Sequence, residues 1–203
     1  MHVLLSLLIG YLFGSVSPAA CLSIVLGRDL HREGTGNLGA TNTMLVLGKK
    51  CGILVMVIDV LKSFFASRLA KALFPHLALA SLLAGLGAVV GHIFSVFLRF
   101  HGGKGVAAFG GLMLAWDPAL VLPLLGVALV LMTLFNYGVA GPISAGILFP
   151  VLVYLRSGDP TAALVAGLAG LAVINAHRIN LRRIHDGQEQ AFRPYVARTL
   201  HLH

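Results

Sequence analysis

The sequence predicts an all-α integral membrane protein of about seven transmembrane helices, with the N-terminus outside and the C-terminus cytoplasmic, forming one polytopic domain over residues 1–203. Three observations lead there. Hydrophobic residues make up 58% of the chain and charged residues 11%, whereas soluble domains carry roughly 25% charged residues. Apolar runs recur at about 3–26, 51–73, 77–98, 105–116, 118–135, 139–155 and 161–177, each bounded by Gly, Pro or charge. The basic residues then gather on one side of the resulting topology, as the positive-inside rule requires.

The first run opens in MHVLLSLLIGYLFG, with no Lys or Arg ahead of it. The charged region of a cleavable signal is missing, so this run reads as the first span. In the second run Asp59 and Lys62 stand i,i+3 where ionisable groups are costly, and they are expected to neutralise each other facing the bundle. The fourth run is short, since about 12 residues reach only ~18 Å against a ~30 Å hydrocarbon core. Charge supports keeping it. With seven spans the inner segments carry Arg28, Arg32, Lys49, Lys50, Arg99, Lys104, Arg178, Arg182, Arg183, Arg193 and Arg198, against Arg68, Lys71 and Arg156 outside. Dropping the fourth span would send the C-terminal arginines outward.

The formal charge of +8 does not point to nucleic acid, because the 15 Lys and Arg form no basic patch with interleaved aromatics. Cys21 and Cys51 show no metal or redox spacing. No metal or cofactor is expected.

Three polar segments interrupt the hydrocarbon: GTGNLGATN (34–42), RFHGGKG (99–105) and NAHRINLRRIHDGQE (175–189). All three emerge on the cytoplasmic face, where loops of a helix bundle can carry one site. The first matches G-x-G-x-x-G, but membrane spans flank it where a dinucleotide fold needs a βαβ unit. Its chemistry survives that rejection: Gly36 and Gly39 allow close backbone approach to an anion, and Thr35, Asn37, Thr41 and Asn42 add neutral donors. The second is not a Walker A loop, because Leu98 and Gly105 stand where that loop needs Gly and Ser or Thr. Gly102 and Gly103 ahead of Lys104 still make a phosphate nest with one fixed cation at a helix start. In the third, helical spacing brings His177 near Asn180, while Arg178, Arg182, Arg183 and Arg193 also fit a helix lying on anionic lipid.

In order and spacing these segments resemble the signatures of the bacterial membrane acyl-phosphate:glycerol-3-phosphate acyltransferases. GSVSP in the first run belongs to the same resemblance, which covers nearly the whole chain. It implies transfer of a fatty acyl group from acyl phosphate to the sn-1 hydroxyl of glycerol 3-phosphate, giving lysophosphatidic acid and phosphate for phospholipid synthesis. It implies Lys104, His177 and Asn180 as catalytic, and Thr35, Gly36, Asn37, Gly39, Thr41, Asn42, Gly102, Gly103, Arg178, Arg183 and Glu189 as substrate- or phosphate-binding. The implied partners are glycerol 3-phosphate, acyl phosphate and the bilayer of the cell membrane, with the site on the cytoplasmic face. Two positions depart: Leu45 stands where the family carries Arg, and VAGPISA replaces a Ser-rich segment, with Ala140 and a displaced Ser144. Leu45 supports a competing reading, a binding or transport protein for phosphorylated metabolites built on the same scaffold.

Overall fold

Every regular element is helical in the computed structural model, which describes residues 1–194, apart from one antiparallel bridge between Tyr137 and Ala191. Arg198, His201 and His203 lie outside the described residues. The chain packs as two compact units, Met1–Asp117 and Pro118–His203.

The first unit holds α1 (His2–Ser15), α2 (Pro18–Val25), α3 (Ala40–Leu47), α4 (Lys49–Leu73), α5 (Ala80–Ile93) and α6 (Val106–Trp116). The first apolar run is broken at Val16–Ser17, because Pro18 has no N–H and Ser17 restarts the helix by accepting the Ala20 amide at 3.2 Å. Helices α1 and α5 meet through small residues: β-carbons at Gly10 and Gly14 would strike the Ala84 and Ala88 backbone, and one at Gly91 would strike the Tyr11 carbonyl. Packing of this kind holds helices together where lipid supplies no hydrophobic drive. Helix α6 is seated on α4, with Gly111 against the Val60 carbonyl. That contact lies roughly 15 Å along α4 from Lys49.

The second unit holds α7 (Val121–Phe135), α8 (Ala140–Ser157), α9 (Pro160–Ala176) and α10 (Arg178–His185). Helices α8 and α9 cross where Gly146 and Gly170 face each other. Asp159 caps α9, accepting the Thr161 amide at 2.8 Å, with Pro160 at the first helical position. The chain then bends by 49° between α9 and α10, at His177.

Among the described residues, four helical segments are long and apolar enough to cross a membrane: His2–Val25, Ala80–Leu98, Pro118–Phe135 and Ala140–Ser157. The bent pair α9–α10 makes a fifth if taken as one span. Helix α4 has 25 residues but its apolar character is interrupted by Asp59, Lys62 and Arg68, and α6 has 11 residues. Large apolar side chains such as Ile24, Phe97, Leu122 and Leu155 are exposed on the helix exteriors, the inside-out distribution that a hydrocarbon solvent rewards.

Candidate active site

The first polar segment is a braced turn rather than an open nest. Asn42, fully buried on α3, donates through Nδ2 to the carbonyls of Leu30 (2.9 Å) and Glu33 (3.1 Å), and its Oδ1 accepts the Thr35 amide (2.6 Å). All of these bonds lie within the protein, so Asn42 braces the loop from inside. Gly34 is required beside it, because a β-carbon there would collide with Asn42 Oδ1 at a backbone φ of +62°. Glu33 is pinned from outside by Arg28, whose side-chain hydrogen bond holds the Glu33 carboxyl below the usual glutamate range. The pin is complete above that range and is lost as pH falls through the lowered value. Thr35 and Thr41 are exposed, Gly36 and Asn37 are half-buried, and Gly39 is buried as the N-cap of α3. Removing the brace by Asn42→Ala strands a buried amide and carbonyls at roughly 1–3 kcal/mol each. A fall in detergent melting temperature is the expected outcome; an unchanged value would contradict the brace.

The second segment meets the first. A β-carbon at Gly103 would run into the His92 ring at Nε2 and the Leu38 carbonyl, so GGKG and GTGNLG touch through a glycine that admits no side chain. The amides of Gly102 and Gly103 donate to the carbonyls of Ile93 and His92, both at 3.0 Å. This corrects the expectation that these two amides hold phosphate: they fold the loop back onto the end of α5. Gly105, in the left-handed region at φ +80°, starts α6, and half-buried Lys104 directly precedes it. A cation at a helix N-terminus is an anion-binding arrangement, with the first-turn amides adding to the lysine charge.

The third segment lies in the second unit and builds a site element of its own. His177, 5% exposed, sits at the bend with Nδ1 2.8 Å from the Val173 carbonyl. A carbonyl only accepts, so Nδ1 carries a proton and Nε2 is the other edge of the ring. Gly187, at φ +67°, reverses the chain after α10, and Glu189 returns to accept from Asn180 Nδ2 at 2.6 Å. Glu189 thereby orients the Asn180 amide. The returning strand is fastened by Arg193, whose amide donates to Asn136 Oδ1 (2.8 Å) and whose guanidinium donates to the Thr133 carbonyl (2.9 Å). Arg178, Arg182 and Arg183 are exposed on α10. Leu45, on α3, is 47% exposed, and Arg32 is turned to Asp29 at 3.4 Å.

Apolar helices carrying polar loops, with large hydrophobic side chains exposed on their exteriors, are the make-up of an integral membrane protein. The family model described as glycerol-3-phosphate acyltransferase matches residues 4–187, and the chain belongs to that family. Relatives bearing that description include the proteins of Trichlorobacter lovleyi, 38% identical over 90% of this chain and 94% of the relative, and of Bacillus velezensis, 36% identical over 93% and 97%. Among solved structures, PlsY (YgiH), an integral membrane glycerol 3-phosphate acyltransferase, is similar in its glycerol 3-phosphate form, with a TM-score of 0.86 and 33% identity over 95% of this chain and 96% of that one. Its lysophosphatidic acid form gives a TM-score of 0.84 at 32% identity, over 94% and 95%.

Proposed function

We propose that this acyltransferase takes its acyl group from acyl phosphate and delivers it to the sn-1 hydroxyl of glycerol 3-phosphate, releasing lysophosphatidic acid and inorganic phosphate. The observation that carries the reading is the contact of the Lys104 loop with the GTGNLG loop through Gly103 at the start of α6. In the reaction the carbonyl carbon gains a bond to the glycerol oxygen and loses its bond to the phosphate oxygen, and the hydroxyl proton goes to a base. Acyl phosphate is already activated, so no covalent enzyme intermediate is needed, and positioning supplies ~7–11 kcal/mol of barrier reduction.

In this reading Lys104 and the first-turn amides of α6 take a phosphate, and Thr35 and Asn37 take hydroxyl and phosphate oxygens. His177 is assigned as the base and Asn180, held by Glu189, as a donor, while Arg178 and Arg183 add positive charge. Seven spans with the N-terminus outside, supported by the distribution of basic residues, give a site on the cytoplasmic face of the cell membrane.

The test is purified protein in detergent with acyl phosphate and labelled glycerol 3-phosphate. Labelled lysophosphatidic acid is the expected product; its absence, with glycerol 3-phosphate still bound, would favour the binding or transport reading that Leu45 supports. Leu45→Arg adds a charge-assisted hydrogen bond of roughly 1.5–3 kcal/mol, and KM for glycerol 3-phosphate is expected to fall about 10- to 100-fold. No change would mean that another cation already fills the position.

A further inference from the structure

A buried charge cluster lies directly behind the Lys104 loop. Lys62 Nζ stands 2.7 Å from Asp59 Oδ1, 2.7 Å from the Val16 carbonyl and 3.0 Å from His92 Nδ1. Asp59 Oδ1 is also 3.3 Å from His92 Nδ1. The three side chains are 8%, 1% and 7% exposed, in the order Lys62, Asp59, His92. A group so costly to bury is expected to serve something beyond neutralisation.

The contacts identify what the cluster does. Lys62 donates to the Val16 carbonyl, pairs as a cation with the Asp59 carboxylate and stands against Nδ1 of the His92 ring. The other edge of that ring, Nε2, is the one that a Gly103 side chain would strike. The same residue's carbonyl accepts the Gly103 amide at 3.0 Å. Val16 is available because the break before Pro18 leaves its carbonyl without the usual helical partner: the Ala20 amide, four residues on, bonds Ser17 Oγ instead. Ser95 closes a neighbouring carbonyl in the same way, donating to Ser15 at 2.6 Å.

We propose that Lys62, Asp59 and His92 are positioning residues, a buried brace running from the break in the first helix to the back of the Gly102–Gly103–Lys104 loop and setting the place of Lys104. The inference rests on the acyltransfer reading above. Lys62 and Asp59 hold the His92 ring in place, and His92 holds the loop from ring and carbonyl together. Displacement of a catalytic group by about 1 Å costs up to roughly 10²-fold in rate.

The decisive variant is the double change Asp59→Leu with Lys62→Met, because replacing a buried ion pair by apolar residues of similar size is commonly neutral or stabilising. A brace with a merely structural role would leave kcat untouched in this folded variant. The positioning role gives a kcat lowered about tenfold or more, KM for glycerol 3-phosphate little changed, and recovery in Lys62→Arg, which keeps donors to Val16 and Asp59. A second readout does not depend on turnover: labelling of Lys104 by a water-soluble amine reagent, followed by mass spectrometry, rises severalfold in the double variant. A double variant with wild-type kcat and an unchanged Lys104 labelling rate would overturn the proposal. A wild-type protein making no lysophosphatidic acid would overturn the acyltransfer reading instead, and the labelling comparison would still decide the brace.

Discussion

Replacing Lys104 by alanine is expected to lower kcat roughly 10²- to 10³-fold, the loss seen when one fixed electrostatic donor to a developing charge is removed. The expectation follows from its place. Lys104 lies between Gly103, seated against His92 and Leu38, and Gly105, which opens α6. Its charge is therefore carried on a loop whose neighbours are packed backbone, next to the α6 N-terminus, whose first-turn amides also favour an anion. Lys104→Arg keeps the charge with a larger, planar head in a loop without room to shift, and should recover only part of the activity. Kinetics with saturating glycerol 3-phosphate separate the effect on kcat from weaker binding. A Lys104→Ala enzyme with kcat near wild type would remove this residue from the chemistry.

The second large effect belongs to His177. Its Nδ1 proton is committed to the Val173 carbonyl at 2.8 Å, so Nε2 is the basic edge. General base catalysis contributes about 10²- to 10⁴-fold, and His177→Ala is expected to lose kcat within that range. His177→Gln supplies a side chain of similar reach that cannot take a proton at neutral pH, and should be nearly as poor. If His177 only shaped the bend before α10, the glutamine variant would keep most activity while the alanine variant melted at lower temperature. Equal kcat in wild type and His177→Gln would contradict the base assignment.

The helices were legible because their signal is local. The apolar runs at 51–73, 105–116 and 118–135 correspond to α4, α6 and the Pro118–Phe135 segment within a few residues. The pairing of Asp59 with Lys62 was legible too, since i,i+3 spacing places both on one helix face. What escaped depends on contacts between distant residues. His92 lies thirty positions from Lys62, and no periodicity joins them; the available hint was a polar ring inside the otherwise apolar run 77–98. Motif chemistry also misled where the backbone decides. Gly102 and Gly103 read as amide donors to phosphate, yet their N–H groups close onto α5 and their missing side chains are what the fold uses. Asn42 read as a ligand for the same reason, though its donors and acceptor are spent within residues 30–35. A donor inventory says what a side chain is able to bond, and only the fold says with whom.

In the proposed reaction the donor is acyl phosphate, attacked directly by glycerol 3-phosphate. Offering the purified enzyme acyl phosphate and an acyl thioester of the same chain side by side, with labelled glycerol 3-phosphate, and counting both lysophosphatidic acid and released phosphate tests this. Product is expected from acyl phosphate alone, with one phosphate released for each lysophosphatidic acid formed. Product from the thioester at a comparable rate, or phosphate release without acylated glycerol phosphate, would contradict it.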